Sequence, residues 1–342
     1  MIARTQHPVE GESLQNQLPS WQEELSRAIR QPRELLEALQ LPADLLDGMN
    51  QGDQLFPLRV PYPYLSRIEP GNPQDPLLLQ VLPSLQETRQ VPGYLTDPLQ
   101  EQQAIAHPGV LHKYHGRVLL IVSGACAINC RYCFRRHFPY DDNNLSTQEW
   151  EQALAYLAQD SSIDEVILSG GDPLAVNDKR LLWLINRLEA IPHLQRLRIH
   201  TRLPIVIPQR ITPELLQGLQ QSRLQKVMVV HVNHAQELDT PVRQALKQVQ
   251  EAGVTLLNQA VLLRNVNDDT DTLTKLSKQL FSAGVLPYYL HLLDPVQGAA
   301  HFDVPHAEAV ALVKGLLELL PGYLVPKLVR EDPGHPSKSP LL

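Results

Sequence analysis

Between residues 117 and 320 the chain alternates between two hydrophobic rhythms. Short β-branched runs occupy 117–123, 165–169, 197–201, 226–231, 255–262 and 286–291, with the length and bounding residues expected of strands. Between and after them, at 147–159, 179–188, 213–220, 241–252, 270–283 and 306–320, apolar residues recur at three- and four-residue intervals, which marks amphipathic helices. Strand followed by crossover helix, repeated, predicts a parallel sheet. Six such units are too few to close an eight-unit barrel, so the expected fold is α/β, an open partial (β/α)6 barrel over residues 109–320. Ahead of it, Trp21, Leu25, Ile29, Leu35, Leu36 and Leu39 repeat mostly at helical spacing and predict two or three short helices within 19–52. Residues 56–108 are rich in proline and turn formers, including Arg59-Val-Pro-Tyr-Pro-Tyr and Glu69-Pro-Gly-Asn-Pro. Such a segment is expected to wrap its neighbour instead of folding alone. The division is therefore 1–108, an N-terminal helical and wrapping segment, then the barrel, then a C-terminal tail at 321–342.

Composition narrows the possibilities. With 342 residues and 43% hydrophobic content a sizeable core is possible. A net charge of −7 without a basic run argues against a nucleic-acid surface. No apolar stretch has membrane-spanning length.

All three cysteines stand together as Cys126, Cys130 and Cys133, in C-x3-C-x2-C order just past the first expected strand. The odd count, the chain's size and the lack of a hydrophobic signal segment point to a reducing cytoplasm. Three thiolates are one ligand short of the four that close a structural zinc site or a simple ferredoxin cluster. Chance packing of buried thiols and a zinc site completed by a histidine such as His137 are the plainer readings. An iron–sulfur cluster held by three cysteines would instead leave one iron open to a small molecule.

In parallel α/β folds, ligand-binding residues collect at the C-terminal ends of strands. Those ends carry Ser169-Gly-Gly-Asp-Pro, His200-Thr-Arg-Leu-Pro, His231-Val-Asn-His, the pair Asn258-Gln259, and His291-Leu-Leu-Asp294. Gly170 and Gly171 read locally as a strand-to-helix turn, with Asp172 capping the next helix. His231, Asn258 and Gln259 read locally as satisfied buried polar groups. In the tail, Lys327 lies in an extended apolar run, where a lysine snorkels outward, and Lys338 lies in a Gly/Pro/Ser loop where backbone approaches a ligand closely.

The cysteine spacing, with Tyr132 before the last cysteine, resembles the cluster loop of radical S-adenosylmethionine enzymes. The longer run 126–138, with its paired arginines, resembles the lysine 2,3-aminomutases. That resemblance implies the same partial barrel, a [4Fe-4S] cluster on Cys126, Cys130 and Cys133, and S-adenosyl-L-methionine on the open iron. It implies contacts to that cofactor from Tyr132, Gly170, Gly171, Asp172, His231 and Gln259, with Arg117 lining the cofactor site. The tail resembles the segment ending in the pyridoxal 5'-phosphate lysine and puts Lys338 at that position. Arg135 falls where the family binds the substrate carboxylate, and Asp294 and Glu331 where it binds the distal ammonium. Two departures stand out: Glu331 replaces the usual Asp, and Gly334-His-Pro-Ser337 replaces a glycine run.

The implied activity moves the amino group of L-lysine to give (R)-β-lysine, with an electron donor reducing the cluster. The absence of cysteine after Cys133, the Pro-Ser-Lys-Ser-Pro ending and the Lys113-Tyr-His-Gly-Arg117 approach resemble the bacterial elongation factor P lysine aminomutases. Elongation factor P pathway proteins are then the expected partners. A mutase making β-lysine as a metabolite, one acting on glutamate, and a non-catalytic metal-binding protein are the competing readings. Two acids at Asp294 and Glu331 would repel glutamate's second carboxylate.

Overall fold

The computed structural model describes residues 19–140 and 145–342, so the start of the N-terminal segment lies outside the described residues. Helices α1 (Trp21–Arg27), α2 (Pro32–Ala38) and α3 (Leu46–Leu55) open it. Ser20 and Glu23 close a reciprocal capping box on α1, and Pro32 begins α2, where its missing N–H has no partner to lose. Two single-turn helices, α4 (Tyr62–Leu65) and α5 (Pro76–Leu79), punctuate the proline-rich stretch.

The sheet begins with β1 (Ile105–His107), β2 (Val110–Tyr114) and β3 (Arg117–Ser123). It continues through α6 (Thr147–Gln159), β4 (Glu165–Gly170), α7 (Asp178–Glu189), β5 (Arg196–Thr201), α8 (Leu203–Val206), α9 (Pro213–Gln221) and β6 (Gln225–Val230). Then come α10 (Thr240–Glu251), β7 (Thr255–Val261), α11 (Thr270–Ser282), β8 (Leu286–His291), α12 (His306–Leu319), β9 (Lys327–Arg330) and β10 (Ser339–Pro340). Spatial order equals chain order across one open sheet. Strands β3 to β9 run parallel, while β1, β2 and β10 pair antiparallel at the margins.

Each strand and helix expected between 117 and 320 is present, with its bounds within one residue. The difference lies in the tail. Its residues 327–330 are a seventh parallel strand, set beside β8 with Tyr289 opposite Lys327 and His291 opposite Val329. Four residues are too few for a period-two pattern to show, and pairing supplies what the local sequence lacks.

The helices pack their apolar stripes on the sheet's outer face; Leu181, Leu184, Ile185 and Leu188 of α7 are all buried. The inner face is different. Arg198 and His200 alternate on β5, Gln259 and Val261 on β7, Tyr289 and His291 on β8, and Lys327, Val329 and Glu331 along and just past β9. These lumen positions line a cavity of about 500 Å³ where a closed barrel would be filled with apolar layers.

The proline-rich stretch lies against the barrel through buried charge. Arg67 donates to the carbonyls of Ile205 (2.7 Å) and Glu237 (2.6 Å). Glu87 takes Arg131 at 2.5 Å and Arg136 at 2.7 Å, and the two guanidinium groups stack on the Phe56 ring at 5.0 and 4.8 Å. Both arginines belong to the cysteine loop. Removing the shared carboxylate in Glu87→Ala leaves two buried cations uncompensated, with an expected cost of about 3–5 kcal/mol. Urea unfolding should show this as a lowered midpoint, whereas breaking the exposed Arg187–Glu151 pair with Glu151→Ala should cost under ~1 kcal/mol.

Candidate active site

The cysteine loop leaves β3 and is pressed at once against the end of β4. The Gly171 N–H donates to the Ser123 carbonyl at 2.7 Å and the Asp172 N–H to the Ala125 carbonyl at 2.9 Å. Gly170 sits at φ +125°, a conformation that side chains rarely adopt, and a Cβ at Gly171 would stand 2.6 Å from the Ala125 oxygen. On the side where a Cβ would stand, protein backbone of residues 123–125 lies on the glycine pair, while both glycines also line the cavity.

Asp172 accepts from Thr201 Oγ1 (2.7 Å) and from the N–H groups of Arg202 (2.8 Å), Leu203 (3.0 Å) and Leu174 (3.0 Å). Both oxygens are engaged within the protein, and the carboxylate ties β4 to β5. Tyr132 likewise turns its hydroxyl inward, to Arg202 (2.9 Å) and Asn233 (2.7 Å).

The three thiols line the cavity. Burial, and then the neighbouring Cys133, pushes Cys126 well above the usual thiol range; burial and Cys130 push Cys133 up to about 12. Sulfurs so placed resist ionisation until a cation arrives to share them. His137 does not complete a zinc site, since its ring bonds the Gln297 carbonyl at 3.2 Å. Among the described residues no three His, Cys, Asp or Glu side chains converge on a single ion. The donor set suits a larger, multi-iron cluster.

Across the lumen runs a chain of alternating charges. Lys338 Nζ meets Glu331 at 2.5 Å, Glu331 meets Lys113 at 3.1 Å, Lys113 meets Glu101 at 3.3 Å, and Glu101 grips the Arg135 fork at 2.6 and 2.9 Å. Arg135 also donates to Ser169 Oγ and the Gly170 carbonyl. The guanidinium expected to await a substrate carboxylate is thus already paired. Burial opposes ionisation of Glu331, but Lys338 and Lys113 outweigh it and hold the carboxyl at about 2. Asp294 has the opposite setting: it is half-buried near Glu331, its Oδ1 is shut from solvent and has no partner among the described residues, and desolvation and Glu331 push it up to about 7.

His291 is buried and His200 and His231 half-buried, and all three are kept neutral, chiefly by desolvation, with His231 at about 4. Nε2 of both His200 and His291 is unpartnered among the described residues. Arg117 lies over the Tyr114 ring at 4.7 Å, and the hydroxyls of Tyr288 and Tyr289 bond each other at 2.9 Å. Every residue expected from the sequence to serve the cluster, a cofactor or the substrate lines this one cavity. Glu101, Lys113, Arg198, His200, His291 and Arg202 line it as well, and the sequence reading gave them no role. For Arg198, His200 and His291 a signal existed, because polar residues on the inner face of a parallel strand are out of place in a closed barrel. For Glu101 none did.

Residues 120–276 match the model of the radical SAM superfamily. The chain is 55% identical over 323 residues to the L-lysine 2,3-aminomutase of Escherichia coli (strain K12), covering 94% of each. It is 55% identical over 320 residues to that of Haemophilus influenzae, covering 94% of this chain and 95% of the relative. To that of Clostridium subterminale it is 34% identical, over 94% of this chain and 77% of the relative. The chain belongs to the lysine 2,3-aminomutase family.

It is thus a radical SAM enzyme and an isomerase, of a family that uses a [4Fe-4S] cluster, S-adenosylmethionine and pyridoxal 5'-phosphate. The cavity has donors for each. Cys126, Cys130 and Cys133 would hold the cluster. Arg117, whose side chain makes no hydrogen bond among the described residues, would stand with Lys113 as a cationic donor for a phosphate. The state of Asp294 allows a pH test of its expected place at the substrate's distal ammonium. If Asp294 meets that ammonium, its ionised form attracts it, and its protonated form must first lose its proton. Lysine affinity is therefore expected to be flat above pH 7 and to fall as pH drops below it, by up to about tenfold per unit. Measuring KM for lysine from pH 6 to 8.5 checks this, and Asp294→Asn should bind more weakly with that step removed.

Proposed function

We propose that this enzyme converts L-α-lysine to (R)-β-lysine with pyridoxal 5'-phosphate carried on Lys338, and that the product supplies the β-lysyl modification of translation elongation factor P. The observation that carries the substrate assignment is the pair of acids at one end of the cavity. Glu331 already holds a lysine ε-ammonium, that of Lys338, and Asp294 beside it has an oxygen with no partner among the described residues. Once Lys338 is occupied by its cofactor, the two carboxylates are released to a substrate's distal ammonium. Arg135 takes the substrate carboxylate at the other end, in exchange with Glu101.

The cluster and S-adenosylmethionine supply one-electron chemistry when bound, and pyridoxal phosphate supplies the conjugated π-system that lets nitrogen pass between adjacent carbons. The chain's own residues orient the amino acid and keep charge fixed. Neutral His200, His231 and His291 add no cation to compete with the ammonium. In this reading His231 and Gln259, which line the cavity from the ends of neighbouring strands β6 and β7, contact S-adenosylmethionine. An electron donor must reach the cluster. The setting proposed is the cytoplasm; no helix among the described residues is long and apolar enough to cross a membrane.

The elongation factor P role is supported by the Lys113-Tyr-His-Gly-Arg117 and Pro336-Ser-Lys-Ser-Pro340 segments. A mutase releasing β-lysine as a metabolite differs only in the fate of its product.

Anaerobic, reduced enzyme should turn over lysine and not glutamate, and chiral analysis should return the (R) product. Lys338→Ala should lack the yellow absorption of bound pyridoxal phosphate and lose activity by orders of magnitude, while Lys327→Ala keeps both. Mass analysis of elongation factor P from cells with and without the enzyme should differ by the modification. An unchanged mass would leave the metabolite reading in its place.

A further inference from the structure

Arg202 is the first residue past β5, and its side chain is buried at 7% exposure. Its position is fixed from the backbone, where Asp172 accepts the Arg202 N–H at 2.8 Å. From there the guanidinium reaches the cysteine loop. Nη1 lies 2.7 Å from Cys130 Sγ and 2.9 Å from the Tyr132 hydroxyl. Nη2 donates to Gln80 Oε1 at 2.7 Å and to Glu237 Oε2 at 2.9 Å.

The surroundings leave the guanidinium no other place to go. Glu237 is fully buried, and its Oε1 accepts from the N–H groups of Asn233 (2.8 Å) and His234 (3.1 Å). Asn233 Nδ2 donates to Tyr132 and to Gln80. Among the described residues this is the one side-chain donor to any of the three thiols. Neither the substrate ends nor the lysine of the tail require it.

A hydrogen bond from a cation to a ligating sulfur withdraws charge from the cluster and favours its more negative, reduced form. The bond is therefore a lever on reduction potential, the property that decides whether the electron donor can load the enzyme. We propose that Arg202 is a positioning residue that raises the reduction potential of the cluster by donating to Cys130, and that Glu237, by neutralising the guanidinium, limits how far it is raised. The proposal rests on the three thiols being the cluster ligands. It gives opposite signs for two neighbours in one network. Loss of the cation lowers the potential, and loss of its counter-charge raises it. A purely structural role for either residue predicts no such opposition.

The test uses the full chain, reconstituted anaerobically with iron and sulfide and assayed for both. Reductive titration followed by the electron paramagnetic resonance of the reduced cluster, without substrate, gives the midpoint potential independently of turnover. Arg202→Gln is expected to titrate at more negative potential than wild type, Arg202→Lys between the two, and Glu237→Gln at less negative potential. Arg202→Gln with full iron content and an unchanged potential would overturn the proposal, and so would Glu237→Gln moving in the same direction as Arg202→Gln. If Arg202→Gln does not fold or hold iron, Glu237→Gln decides alone: a positive shift supports the proposal, and no shift or a negative one overturns it. Wild-type chain that takes up no iron overturns the ligand assignment instead, and the proposal with it.

Discussion

Two buried guanidinium groups share one buried carboxylate at Glu87, and the shape of the cysteine loop depends on that arrangement. The loop cannot organise itself from within. Ionisation of Cys126 and Cys133 is disfavoured by burial and by the neighbouring thiols, and the loop's own backbone bonds are a few turns, such as the Cys133 N–H on the Cys130 carbonyl. Outside contacts fix it instead. The Asn129 N–H reaches the Arg59 carbonyl and the Arg131 N–H the Gln80 carbonyl, while the Gly170-Gly171 pair backs the other side. Buried ion pairs contribute little net stability compared with apolar packing, but they permit only a narrow geometry. At a site that must present three sulfurs to one cluster, geometry is the property required.

The lumen is governed by the same electrostatics arranged differently. From Lys338 to Arg135 each charge lies beside one of opposite sign, and the series crosses from the tail through β2 to the cysteine loop. Each member of that series is thus compensated in a medium where an isolated charge would be costly. Asp294 lies outside it, and its proton is retained to about 7. In the proposed reading a zwitterionic guest enters by exchange: its carboxylate would compete with Glu101 for Arg135, and its ammonium with Lys338 for Glu331. Glu331 is long enough here to bridge two lysines, Lys113 and Lys338.

Much of this was legible in the chain. Parallel strands and crossover helices carry periods of 2 and 3.6 that are local properties, and so their bounds are found within one residue. The cysteine motif is also local, since three ligands within eight residues need no tertiary contact to be noticed. The strand-end rule brought Gly170, His231, Gln259 and Asp294 to one place because topology alone puts those ends together.

What the chain alone did not disclose is how the side chains divide their hydrogen bonds. Glu101 and Arg135, Glu87 and Arg131, Arg202 and Cys130, and Lys113 and Glu331 are each separated by tens to hundreds of residues. No periodicity links them, and each member alone reads as an ordinary surface charge. Asp172 and Tyr132 show the reverse: they stand in recognisable positions, yet their polar atoms are taken up inside the protein. Sequence determined the elements and the cysteine motif, because both are written in neighbouring residues. Tertiary structure decided which buried charges meet and which remain open, because pairing in a low-dielectric interior depends on distances that only the closed fold sets.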